Sequence, residues 1–233
     1  MRLVKALLIL LVVLIGLGVA ADRVALGVAE NQVSSRLASS GALHGRPGVD
    51  ITGFPFLTQA VAGRYDDVRI SLTAAELGQP AGTRADVSLH GVRLPLSSVL
   101  GGSVRSVPVD RIDGTATLSY ALLSARLGPS TKLAPEGTGL RITRTVDVLG
   151  QSFPLTAVGT LSLQGRDVVV HVSKAAGVGV SVPRFVLSQA TRLLDLRYTV
   201  PALPFGLKLT SVRPASAGVD VGIGATNAVL APE

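Results

Sequence analysis

The chain of 233 residues has no cysteine and no tryptophan, and it carries only three histidines, three tyrosines and five phenylalanines. Without cysteine there is no disulfide, no thiolate nucleophile, no cysteine-based zinc or iron–sulfur site, and no lipid-modified cysteine behind the N-terminal segment. His44, His90 and His171 lie far apart and never fall into an H-x-x-x-H spacing, so no metal site and no cofactor is expected. The usual catalytic signatures are missing too: there is no G-x-S-x-G, S-x-x-K or H-E-x-x-H. Gly177-Val178-Gly179 and Gly222-Ile223-Gly224 begin a dinucleotide fingerprint but lack its last glycine, and they sit in strand-like surroundings. Asp66-Asp67 is the one adjacent carboxylate pair, expected in a solvated turn. The chain therefore does not read as an enzyme.

What is present is aliphatic. Hydrophobic residues make up 47% of the chain and aromatic ones only 3%, so the interior is built from Val, Leu, Ala and Gly. Arg2 and Lys5 precede residues 6–21, a run without charge that ends in Val19-Ala20-Ala21 before Asp22. A charged start, an apolar middle and a small-residue end describe a secretory signal; a slight extension of the run makes it a retained membrane anchor instead. Either way residues 22–233 are expected outside the cytoplasm as one domain. The formal charge is +7, of which Arg2 and Lys5 supply two. That excess favours anionic partners, and without basic clusters interleaved with aromatics a membrane surface or envelope polymer fits better than nucleic acid.

Periodicity divides the body. Leu26, Ala29, Val33 and Leu37 form a helical stripe opposite Arg23, Glu30 and Arg36 over residues 22–38. From Val49 onward the period becomes two: Val68, Ile70 and Leu72 alternate with polar residues, as do Ala85, Val87 and Leu89. At Gly91 the apolar set changes parity, which predicts a β-bulge. A short helix is expected over residues 120–127, a flexible loop over 128–139, a strand over 140–148, a hairpin turning at Gly165-Arg166, a second helix from Pro183, and two closing strands. Eight to ten strands with two sizeable helices make the chain α+β. Arg144 shares its parity with Leu140, Ile142, Val146 and Val148, so it meets an anion, forms an ordinary ion pair, or reaches water at a strand end. Phe54-Pro55-Phe56 breaks an extended run, because proline lacks the donor that a central strand needs.

Three segments carry a family resemblance: ADRVALGVAENQVSSRL (21–37), VDITGFPFLTQAVAGRYDDVRISL (49–72) and LPFGLKLTSVRPASAGVDVGIGA (203–225). Together they resemble the LmeA-type phospholipid-binding proteins of the actinobacterial cell envelope. The resemblance implies a tubular lipid-binding architecture in which a long curved antiparallel sheet wraps helices and leaves an apolar cavity. It further implies binding of anionic phospholipids such as phosphatidylinositides, and support of lipomannan-type lipoglycan synthesis beside envelope biosynthetic enzymes. Taking a two-chain lipid out of a bilayer gives up about 0.8 kcal/mol per CH₂, on the order of 25 kcal/mol in all, so a long apolar channel is needed. The candidate lipid-binding residues are Phe54 and Phe56 at the corner, Val68, Ile70 and Leu72 on the following strand, Phe205 at a second Pro-Phe pair, and Arg144 as a cation for phosphate. An envelope scaffold with a filled interior and a glycolipid-modifying enzyme remain the alternatives.

Overall fold

The computed structural model describes residues 2–41, 43–101, 104, 106–127, 131–148, 151–177, 196–200, 203 and 206–230. The predicted second helix and Phe205 lie outside these residues. By contacts the chain divides into two compact units, one of residues 1–71, 88–112 and 226–233, the other of residues 72–87 and 113–225.

In the first unit no proline interrupts the N-terminal run, and it continues directly into the amphipathic stripe as one helix, α1 (Arg2–Ser39). Its residues 2–21 are exposed, and it is long and apolar enough to cross a membrane. Beyond Ala21 it packs on β1 (Gly48–Thr52), which pairs antiparallel with β2 (Arg64–Leu72) from Gly48 opposite Ser71 to Thr52 opposite Asp67. Glu30, expected on the solvent side, faces β1 instead: its Oε1 accepts the Ile51 N–H at 3.0 Å. Ser34 donates to the Pro47 carbonyl at 2.7 Å. A sheet edge needs such partners for its outward backbone groups.

The Phe54-Pro55-Phe56 corner leads into α2 (Phe56–Ala62), with the Phe54–Pro55 peptide cis. Phe56 and Ala60, one turn apart, are buried, and the Phe56 ring lies 6.1 Å from that of Tyr65. Proline offers no capping side chain, so Asp22 of α1 does this from a distance: its Oδ1 accepts the Leu57 N–H at 2.8 Å. A carboxylate there also complements the helix dipole. Gly63 ends α2 at φ 65°, a left-handed conformation suited to glycine. The Asp66-Asp67 pair is part of β2 and not a solvated turn. Asp67 is buried, 2.8 Å from Arg69 Nε and 3.4 Å from His90 Nδ1.

The six-stranded sheet has the order β1-β2-β3-β4-β11-β10, with β3 (Arg84–Arg93), β4 (Val107–Ser119), β10 (Lys208–Pro214) and β11 (Gly218–Leu230). In β3 the buried residues step from Leu89 to Val92 across Gly91, whose φ is 64°. The parity change expected there is thus present. A short helix, α3 (Leu96–Leu100), follows β3.

The second unit adds an antiparallel five-stranded sheet in sequence order: β5 (Thr131–Glu136), β6 (Gly139–Val148), β7 (Gln151–Gln164), β8 (Asp167–Gly177) and β9 (Leu196–Thr199). Its first strand occupies much of the expected loop at 128–139. Helix α4 (Tyr120–Leu127) covers the predicted residues, and Ser119 caps it by accepting the Leu122 N–H at 3.2 Å. Both sheets are open. Leu140, Ile142, Leu155, Ala157, Val170 and Val172 of the five-stranded sheet pack with Val219 and Val221 of β11 to form the core of this unit.

Candidate functional site

An apolar cleft of about 410 Å³ lies within the second unit. Its walls follow from strand geometry, since residues two apart share a face. Ala116 and Leu118 come from β4, Val219 and Val221 from β11, Val168 and Val170 from β8, with Leu133, Leu140 and Leu161 from the three strands before it. Leu122 and Leu123 of α4 and Ala85 of β3 complete the aliphatic lining. The volume falls within the range of small-molecule sites.

Polarity enters from one segment only. Gln79, Thr83 and Arg84, just before and at the start of β3, are the polar members of the described lining, beside Leu77. Thr83 is buried, and its hydroxyl donates to Ser119 Oγ at 3.1 Å, so the same serine joins this segment to the start of α4. Arg84 is exposed, and no ion pair engages it among the described residues, so its planar guanidinium is suited to meet an anion bidentately. Nearby buried polar groups are matched: Thr117 donates to Asp220 Oδ1 at 2.7 Å, and the Tyr120 hydroxyl donates to the Ala215 carbonyl at 2.8 Å. Burial, with the Asp220 carboxylate nearby, pushes the Tyr120 phenol above its ordinary pKa, so it stays neutral. The described lining contains no carboxylate and no histidine.

A second hollow, of about 380 Å³, is lined by Val200, Leu203, Leu207 and Leu209, with the exposed Arg166 and Lys208 at its border. Beside it Asp167 accepts hydrogen bonds from Thr199 Oγ1 at 2.7 Å and from Arg197 at 2.6 Å. The Thr199 bond, then Arg197, holds its carboxyl below the usual range.

The candidates from sequence fall in different places. Phe54 is exposed, with the Arg23 guanidinium 5.1 Å from its ring centre, whereas Phe56 is buried against Tyr65. Val68 is buried opposite Ile51, and Ile70 and Leu72 are half-buried further along β2. None of these five is in the described lining of the cleft. Arg144 is half-buried on β6, between Thr131 and Leu155 on the neighbouring strands and two residues beyond the buried Ile142. It therefore extends the apolar row, and no ion pair engages it among the described residues. Arg84 escaped notice because its alternation with Ala85 and Val87 marks it only as an outward strand residue. The cleft it borders is made by segments distant in sequence.

A family model described as LmeA-like phospholipid-binding matches residues 20–223. No curated protein and no solved structure matches the chain. A match across nearly the whole body, over a fold whose second unit holds an aliphatic cleft, places this chain in the LmeA-like phospholipid-binding family.

Proposed function

We propose that the protein is a non-catalytic carrier of anionic glycerophospholipid, of the phosphatidylinositol type, in the cell envelope. An acyl chain lies in the cleft of the second unit, enclosed in the manner of the tubular lipid-binding folds, and the phosphate meets Arg84. The supporting observation is the composition of that cleft: aliphatic side chains from seven strands and α4 form its body, and its polar members, Gln79, Thr83 and Arg84, all come from one segment. An amphiphile has this division of chemistry. Arg144, at the end of the apolar row on β6, is a second cation for the headgroup. The N-terminal signal or anchor delivers the body outside the cytoplasm, where the carrier presents lipid to the enzymes that build lipomannan-type lipoglycans.

The lack of acid–base groups in the described lining favours carriage over catalysis, because proton transfer needs a titratable side chain within hydrogen-bond reach. Lipid extraction and native mass spectrometry of the purified protein test the reading. Phospholipid bound in defined ratio is expected, with phosphatidylinositol taken up from vesicles in preference to phosphatidylcholine. A protein that emerges empty and takes up neither lipid overturns it.

A further inference from the structure

Beyond the N-terminal run of α1, the first unit exposes Val24, Val28, Leu96 and Val229 singly, and three further apolar side chains that gather around α2. On α2, Phe56 and Ala60 turn inward, while Leu57 and Val61, also one turn apart, are exposed to 41% and 78%. Phe54, just before the helix, is exposed to 62%. A short helix with apolar residues on both faces has a second face still to be covered.

The position of that face identifies its cover. Residues 3–21 of α1 are exposed and apolar apart from Lys5, whose long stem lets its ammonium reach the membrane surface. At 1.5 Å per residue they rise about 28 Å, close to the ~30 Å hydrocarbon core of a bilayer. The run ends at Asp22, and Asp22 is the residue that accepts the Leu57 N–H at 2.8 Å. Next to it, Arg23 holds its guanidinium 5.1 Å from the Phe54 ring centre. Phe54 and the first turn of α2 are thus fixed at the depth where α1 leaves the hydrocarbon, within the interfacial layer of roughly 5–8 Å on each side. Aromatic and aliphatic side chains beside an arginine suit that layer, the ring at headgroup level and the guanidinium among the phosphates.

We propose that Phe54, Leu57 and Val61 form a membrane-docking surface that seats in the interfacial layer of the same bilayer that takes up residues 3–21. Its partner is the lipid surface, and Arg23 supplies the contact to anionic headgroups. The inference rests on α1 entering a bilayer and is independent of whether the cleft holds lipid.

The absence of tryptophan makes the test direct, since a single introduced indole is the only one in the chain. Full-chain protein carrying Val61→Trp, and separately Leu57→Trp, is reconstituted into vesicles of phosphatidylcholine and phosphatidylglycerol containing lipids brominated at defined depths. Gln32→Trp serves as the reference, because Gln32 is exposed and lies ten residues beyond Asp22, about 15 Å further along α1. The V61W and L57W indoles are expected to be quenched severalfold more strongly than the Q32W indole, and most by bromines placed high on the acyl chain. Quenching of V61W and L57W no stronger than that of Q32W overturns the proposal. So does a blue shift that depends on protein concentration without bromolipid quenching, which instead assigns the surface to a second copy of the chain.

Discussion

Arg84 and Arg144 are two arginines that one measurement separates. Arg84 borders the cleft with an exposed guanidinium, whereas Arg144 is half-buried at the end of an apolar row. A hydrogen bond to a charged group contributes about 1.5–3 kcal/mol, which corresponds to roughly a tenfold change in affinity or more. Arg84→Ala is accordingly expected to weaken uptake of phosphatidylinositol by about tenfold and that of phosphatidylcholine, whose phosphate is already offset by its choline cation, by less, read by parallel vesicle-binding titrations. Arg144→Ala is expected to show the same selectivity in smaller measure; equal loss for both lipids assigns it a structural role. The contrast also shows which residues declare themselves in a sequence. Arg144 stood out because it occupies an apolar position in a period-two pattern, so its cost is written locally. Arg84 occupies an ordinary polar position, and its place beside the cleft comes from leucines and valines as distant in sequence as Leu161 and Val221. Asp22 is similar: nothing near it in the chain announces that it caps a helix beginning at Phe56.

At the scale of elements, legibility follows how much of an element faces a core. The strand over 140–148, the hairpin at Gly165-Arg166 and the helix over 120–127 were readable because alternating or helical apolar residues ran their length. Strand β5 was not, since it lies at the edge of its sheet, holds Pro135, and offers Leu133 and Ala134 as its only aliphatic residues. An edge position tolerates the missing donor that would exclude proline from a central strand. At the opposite edge, the described residues of β9 pair with β8 from Leu196 opposite Val170 to Thr199 opposite Asp167, and a side-chain attachment is added to that pairing. Asp167 supplies that attachment through Thr199 and Arg197, and the same two contacts lower its pKa in the folded chain. For a carboxyl with a depressed folded pKa, the stabilisation is fully present above its unfolded value, ordinarily near 3.9, and is lost as pH falls through the folded value. Amides of β9 are therefore expected to lose protection in hydrogen exchange below about pH 4, after correction for intrinsic rates. Asp167→Asn is expected to show weakened protection already at neutral pH and little further change on acidification. Protection in the unsubstituted protein that is flat through the acid range would sink the assignment.

For the molecule as a whole, positive charge and an aliphatic cleft make separable contributions. The chain's +7 charge raises the rate of encounter with an anionic surface, an effect that salt screens over a Debye length of about 10 Å at 0.1 M. Burial of an acyl chain is insensitive to such screening, because it depends on apolar area removed from water. The compact units are delimited within strands, since β2, β3, β4 and β11 each contribute residues to both, which is why no change of composition marks the division. The aliphatic character of the cleft was legible as composition, but its location was not, because it needs β4, β8 and β11 brought together. Ala116 gives access to the acyl term alone: it is half-buried, lines the cleft from β4, and a larger side chain there projects into open volume. Filling existing space avoids the roughly 1–3 kcal/mol that overpacking a tight core costs, so Ala116→Phe is expected to keep or slightly raise the melting temperature. Bound lipid counted by native mass spectrometry is expected to fall to less than half, at every salt concentration. In the unsubstituted protein, added salt is expected to slow uptake from phosphatidylinositol vesicles while leaving the final occupancy nearly unchanged. An A116F protein that folds normally and still carries a full complement of lipid places the acyl chain elsewhere, and the hollow bordered by Arg166 and Lys208 then becomes the site to substitute.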